Sequence, residues 1–170
     1  AVASGGEILR WRADKPGKVL YLDGEMSASR MQERIRRLHL GRPKLCFKDS
    51  FRIATPDLQD GFRMPDLATA AGREAVDNVL GDANLVVIDN LSCLCRSGDE
   101  NAAESWLLVQ EWLLGLRSQG RSVLLVHHAG KGGAQRGTSR REDVLDTVVA
   151  LTRPEDYSPV QGARFRVDYE

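Results

Sequence analysis

The stretch Leu85-Val86-Val87-Ile88-Asp89 decides the fold that we predict for this chain. Four apolar residues in succession suit a strand that is covered on both faces, as strands are in a parallel sheet. Similar runs lie before it, at residues 18–22, and after it, at residues 122–126. Because helical patterns separate these runs, the order predicts an α/β protein, a three-layer sandwich with a mostly parallel sheet.

Three segments carry the predicted helices. One follows Ser27, a residue type that favours the helix N-cap, and residues 102–119 form a second amphipathic pattern. Residues 66–80 predict a third helix, weakened by Gly72. The remaining predictions are strands at residues 45–47, 51–53, 147–151 and 163–169, and one helical turn at residues 143–146.

Composition bounds the class of protein. The 170 residues include 24 Lys plus Arg and 24 Asp plus Glu, so the formal net charge is zero. This balance argues against a protein that is held on DNA mainly by a large basic surface, and 42% hydrophobic residues argue against disorder. No run of about 20 apolar residues suggests a membrane span. We therefore expect one cytoplasmic domain over residues 1–170, with its three cysteines reduced.

Polar residues follow three of the predicted strands. These are the segments Asp23-Gly24-Glu25, Asp89-Asn90 and His127-His128. Ligands of open parallel sheets bind beyond the carboxyl ends of the strands. The sequence therefore predicts that these side chains surround one crevice.

Each of these side chains has a chemical role and an ordinary alternative. A carboxylate at the mouth of a rigid strand, as at Asp89, suits the Mg²⁺ of a bound nucleotide, but aspartate also simply forms turns. Glu25 could orient an attacking water or could be a surface residue at a helix N-terminus. His128 could donate to a γ-phosphate or could be a satisfied strand-end histidine. A third hypothesis groups Asp23, Glu25 and Asp89 as a metal cluster of another phosphate-handling enzyme.

The segment 129–141 holds four glycines and four Lys or Arg residues. Cations on a glycine-rich tether suit phosphate capture, either from a nucleotide on a neighbouring subunit or from a DNA backbone. The alternative is a solvated loop. Neither G-x-x-x-x-G-K-[ST] nor G-x-G-x-x-G occurs anywhere in the printed sequence.

Taken in order, the motifs resemble a known family, the RecA-like AAA ATPases of the RepA replicative-helicase type. The resemblance spans about residues 11–169. It implies a RecA-type core that often forms a hexameric ring, binds ATP and Mg²⁺ between subunits and moves on DNA, in plasmids, phages and mobile elements. The motifs are Leu20-Tyr21-Leu22-Asp23-Gly24-Glu25-Met26, Leu85-Val86-Val87-Ile88-Asp89-Asn90-Leu91, Asp99-Glu100-Asn101, Val126-His127-His128-Ala129-Gly130-Lys131 and Arg136-Gly137-Thr138-Ser139.

The resemblance assigns roles residue by residue. It implies that Glu25 is the catalytic glutamate, and that Asp89 is the Walker B aspartate, which holds Mg²⁺ with ATP beside Asn90. It places His128 where related helicases carry a polar sensor of the γ-phosphate. Cations that reach a neighbouring subunit's nucleotide would stabilise charge on the transferring phosphoryl group. The candidates for that role are Lys131 and Arg136, with Arg140 as a further one.

The sequence departs from the family at the P-loop, which should lie just before Ala1. Residues 1–6 resemble the end of the P-loop helix, so we expect the sheet to lack its central strand. It would then close the gap, pair with another chain or rearrange. We expect weak ATP binding and negligible hydrolysis unless a Walker A segment is restored, so whether the chain alone is an enzyme stays open.

Two functions are therefore expected. One is the ATPase core of a RepA-type DNA helicase or mobile-element replication motor. The alternative is a non-catalytic, self-associating RecA-like module that has lost nucleotide binding.

Overall fold

The structure is a computed structural model that describes residues 1–8, 10–41, 49–97, 103–128 and 144–169, with residues 103–105 as backbone only. The chain divides into two compact units, Ala1–Arg136 and Gly137–Glu170. No helix in these ranges is long and apolar enough to cross a membrane.

The first unit contains the sheet and the helices that were predicted around it. Its elements, in chain order, are β1 (Gly6–Ile8), β2 (Trp11–Ala13), β3 (Val19–Asp23), α1 (Ala28–Gly41), β4 (Phe51–Ala54), α2 (Ala70–Leu80), β5 (Leu85–Asp89), α3 (Leu91–Leu94), α4 (Ala103–Ser118) and β6 (Ser122–Val126).

The main sheet has four parallel strands in the order β4-β3-β5-β6. From β3 the chain moves outward to β4, whereas from β5 it moves in the opposite direction to β6. Right-handed crossovers then place α1 on one face of the sheet and α2 and α4 on the other. The α/β prediction with a parallel sheet is confirmed, and the reversal of direction lies between β3 and β5.

One face of the sheet carries the hydrophobic core. Strand residues that share this face form one buried cluster with side chains of α2, α3 and α4. Ile88 and Val86 are fully buried there, and Leu116 of α4 is 1% exposed. Burying a side chain of this size contributes about 1.5–3 kcal/mol relative to leaving it in water, so this face supplies most of the packing energy. Its strand members are Leu20, Leu22, Val86 and Ile88, with Ala54, Val123 and Leu125 partly buried beside them.

Strands β5 and β6 are direct neighbours, paired in register from Leu85 with Ser122 to Asp89 with Val126. The three arrangements expected for a sheet without a P-loop strand stay predictions.

The first residues correct one prediction. Residues 1–6 are not the end of an α-helix: Val2–Ser4 form a single 3-10 turn, and β1 and β2 follow as a small antiparallel hairpin. These strands are only three residues long and almost wholly exposed, so no alternation of apolar and polar residues marks them in the sequence.

Helix α2 begins later than predicted, at Ala70 instead of Asp66. Thr69 caps it by accepting a hydrogen bond from the backbone N–H of Gly72 at 3.0 Å. The residues before the cap fold back over the helix, so that a Cβ on Gly72 would lie 1.9 Å from the carbonyl oxygen of Asp66. Gly72 therefore allows the backbone of Asp66 to pack against the first turn of α2, in addition to lowering the intrinsic helix propensity.

The second unit contains an antiparallel hairpin of β7 (Val149–Thr152) and β8 (Arg166–Tyr169). Both strands were predicted, with boundaries shifted by no more than three residues. Residues 144–146 are not helical. Two other predictions, the strand at residues 45–47 and the basic loop at residues 129–141, lie outside the described residues.

Candidate functional site

The site lies where the strand order reverses, at the carboxyl ends of β3 and β5. Asp23 and Asp89 are register partners, so both side chains belong to the same face of the sheet. Asp23 is 3% exposed, and its Oδ1 accepts hydrogen bonds from the backbone N–H groups of Glu25 (2.8 Å) and Met26 (2.9 Å). Its Oδ2 is also buried and has no hydrogen-bond partner among the described residues. One oxygen thus shapes the turn while the other stays uncommitted.

Gly24 lets the two strand ends approach each other. Its backbone N–H donates to the carbonyl oxygen of Asp89 at 2.7 Å. A Cβ at this position would lie 2.6 Å from the Cβ of Cys93 in α3, closer than side chains pack. Only glycine therefore fits between β3 and α3 without displacing one of them.

Glu25 lies at the centre of a group of polar side chains. Asn90 donates from Nδ2 to Oε1 of Glu25 at 2.6 Å, and Sγ of Cys93 donates to the same oxygen at 3.3 Å. Nε2 of His128 lies 3.6 Å from that oxygen, so it forms an ion pair when the imidazole is protonated. The group joins the ends of three strands, since Glu25 follows β3, Asn90 follows β5 and His128 follows β6.

These contacts keep the Glu25 carboxyl ionised. The hydrogen bond from Asn90, then that from Cys93 and the proximity of His128, lower the pKa of Glu25 below its usual value, against a smaller opposing effect of burial. About half of the Glu25 side chain remains exposed to solvent. The site thus holds a charged, oriented carboxylate that a water molecule can reach.

Asn90 has a second task. Its side chain is fully buried, and its Oδ1 accepts from the backbone N–H of Cys93 at 3.1 Å, which caps α3. The same amide group therefore fixes the start of α3 and grips Glu25.

Asp89 is held by a neighbouring strand. The hydroxyl of Tyr21, in β3, donates to its Oδ2. Burial, and then this hydrogen bond, raise the pKa of Tyr21, so the phenol stays protonated and acts as a donor. Among the described residues, no hydrogen bond engages Oδ1 of Asp89.

The oxygens at these strand ends fit a nucleotide-bound Mg²⁺, which usually takes one or two carboxylates and completes its shell with water and phosphate. Asp89 keeps one oxygen available, and the buried Oδ2 of Asp23 is uncommitted in the described part of the chain. Within that part, no three His, Cys, Asp or Glu side chains are grouped to hold a metal by themselves. The hypothesis of an all-protein metal cluster of Asp23, Glu25 and Asp89 therefore gains no support.

A family profile described as an AAA domain matches residues 1–134, more than three quarters of the sequence. The chain belongs to this AAA domain family. It is a family of P-loop NTPases with a RecA-like core, and its members usually bind ATP with Mg²⁺. The resemblance drawn from the motifs is confirmed at this level. A comparison with curated proteins gave no significant match.

The AAA domain brings together three of the residues singled out from the sequence, since Asn90 and His128 both lie against Glu25. Asp89 lies beside them at the end of β5, with its peptide bond to Asn90 in the cis form. The roles assigned to these residues stay predictions. The remaining candidates lie outside the described residues: Lys131, Arg136 and Arg140.

Two side chains of the site were not predicted. Cys93 was expected only to be a reduced thiol, and Tyr21 only to be part of an apolar strand. Strand alternation could have indicated Tyr21, which lies two residues before Asp23 and so on the face of Asp89. The spacing Asn90-x-x-Cys93 could have indicated a capped turn. Neither pattern alone identifies the partner across the sheet.

Proposed function

We propose that this AAA domain is the ATP-hydrolysing core of a DNA helicase or mobile-element replication motor of the RepA type. The observation that carries the proposal is the convergence of Glu25, Asn90 and His128 beside Asp89 at the sheet's reversal point. The DNA-related part of the proposal has its support in the resemblance of the ordered motifs and in the basic segment 129–141.

In this proposal Glu25 orients the attacking water and accepts its proton, which requires an ionised, solvent-accessible carboxylate. Asp89 would hold Mg²⁺ through the oxygen that Tyr21 does not occupy. Bound with ATP, Mg²⁺ supplies charge neutralisation at the β and γ phosphates. His128 would donate a hydrogen bond to the γ-phosphate. Its contact with Glu25 would place this donor beside the residue that orients the attacking water.

The same proposal gives the basic segment a role between subunits. Lys131 and Arg136 would reach the nucleotide of a neighbouring copy in a ring, where a cation stabilises the transition-state charge. DNA would act as the track along which the ring moves.

The test measures ATP turnover, with and without single-stranded DNA, by the protein as its gene encodes it. We expect Mg²⁺-dependent hydrolysis that DNA stimulates, and a fall in kcat of about 10²–10⁴-fold in Glu25→Gln, the range over which a general base contributes. Glu74→Gln is the matched control, since Glu74 is exposed on α2. Hydrolysis that survives Glu25→Gln would refute the catalytic assignment, and hydrolysis indifferent to DNA would refute the motor.

A non-catalytic, self-associating module is the second candidate. It is favoured by β6, which pairs on one side only within the described residues and carries Leu124 with 51% exposure. An unpaired strand edge is a template for a second chain. ATP titration separates the two candidates, because both would form oligomers in light scattering but only the motor would bind ATP·Mg²⁺.

A further inference from the structure

Glu25 is held by one of its two carboxylate oxygens. The hydrogen bonds from Asn90 and Cys93, and the contact with His128, all converge on Oε1. No described side chain or backbone group donates to Oε2. A carboxylate that is gripped at one oxygen cannot rotate freely, so its other oxygen keeps a fixed direction.

Cys93 reaches Glu25 because two independent features place it there. Asn90 caps α3 through the backbone N–H of Cys93, which fixes the first turn of that helix. Gly24 removes the side chain that would otherwise separate the turn from α3, since its Cβ would lie 2.6 Å from the Cβ of Cys93. The cap of α3 and the close approach at Gly24 together fix the position of the Cys93 thiol in the site.

We propose that Cys93 is a positioning residue for the catalytic step: its thiol, with the amide of Asn90, fixes Oε1 of Glu25 so that Oε2 is presented to the attacking water. The inference rests on the proposed function, because it assigns Cys93 a part in orienting the proposed base. Orientation of a reacting group within a few tenths of an ångström is worth a measurable share of the rate.

The thiol is suited to this task at neutral pH. Burial and the adjacent Glu25 carboxylate raise the pKa of Cys93 to about 11, so its proton stays in place as a donor. The other charged groups around it are Arg96 on the same segment and Asp23 at the end of β3, while His128 faces Glu25 from the end of β6.

The kinetic test compares kcat and KM for ATP in the wild-type protein, Cys93→Ala and Cys93→Ser. We expect Cys93→Ala to lower kcat about five-fold, as the loss of one net hydrogen bond implies, with KM unchanged within about two-fold. Cys93→Ser should recover most of kcat, because a hydroxyl also donates to a carboxylate. Cys95→Ala is the matched control, as it removes a thiol two residues away.

Two results would overturn the inference while Glu25-dependent hydrolysis stands. One is a wild-type kcat in Cys93→Ala, and the other is a Cys93→Ser variant as slow as Cys93→Ala, which would indicate a packing role. If turnover does not depend on Glu25 at all, both the proposed function and this inference are refuted.

A spectroscopic measurement keeps the inference testable even if Cys93→Ala does not fold. The S–H stretching band of Cys93, identified by its absence in Cys93→Ser, should lie at the lower frequency of a thiol that donates to a carboxylate. Glu25→Gln should move the band to higher frequency. A band that does not respond to Glu25→Gln would overturn the inference, since the thiol would then have another acceptor.

Discussion

The two faces of the parallel sheet differ in how they are covered. On one face Leu22 and Ile88 are at most 1% exposed and pack into the cluster shared with three helices. On the other face, Val19 and Val87 are 5% and 6% exposed, but Leu124 of β6 is 51% exposed. Strand alternation puts Asp23 and Asp89 on this second face. The first face therefore supplies stability, whereas the second carries the polar chemistry.

The largest effect should come from opening the covered face. Ile88→Ala removes a fully buried side chain from the centre of the core. Loss of transfer energy and the cavity left behind should lower the free energy of unfolding by about 2–5 kcal/mol. Urea denaturation followed by circular dichroism measures this directly. A loss below about 1 kcal/mol would mean that this face is not the core.

A smaller effect on the same side should follow from Gly72→Ala. The new methyl group would meet the carbonyl oxygen of Asp66 at 1.9 Å, so the start of α2 must shift. Overpacking of this kind costs about 1–3 kcal/mol, again measured as the free energy of unfolding in urea.

Gly115→Ala, in α4, is the control for Gly72→Ala. A Cβ there would meet nothing within 4 Å. Because alanine favours helix more than glycine does, this variant should be neutral or more stable by up to about 1 kcal/mol. Equal effects of the two substitutions would contradict the close packing described at Gly72.

These examples also show what the sequence could predict. Strands β3, β5 and β6 are apolar runs with flanking turn residues, and their ends carry the polar groups, so the fold and most of the crevice followed from local patterns. Gly72 looked like a weakness, because its partner, the backbone of Asp66, is brought close only by the fold of the preceding loop.

The details of the site depend on pairing across the sheet. The contacts of Cys93 and Tyr21 with the site could not be predicted from the sequence, because each joins residues more than 60 positions apart. They depend on the pairing of β3 with β5. Periodicity indicates which face a side chain occupies, but not which strand lies next to it. The order of the strands is a property of the whole sheet. It decides which residues each polar group contacts, so local sequence patterns do not predict those contacts.

The smallest effect is expected at Leu124, the exposed strand residue of the second face. Leu124→Thr introduces a β-branched, strand-favouring residue in place of an apolar side chain that is half exposed, so the free energy of unfolding should change by no more than about 0.5 kcal/mol. The contrast with Ile88→Ala, in the neighbouring strand, is then at least four-fold. A loss comparable with that of Ile88→Ala would show that another surface covers Leu124 in solution. Light scattering of the same variant decides whether that surface is a second copy, because oligomers present in the wild type should then dissociate.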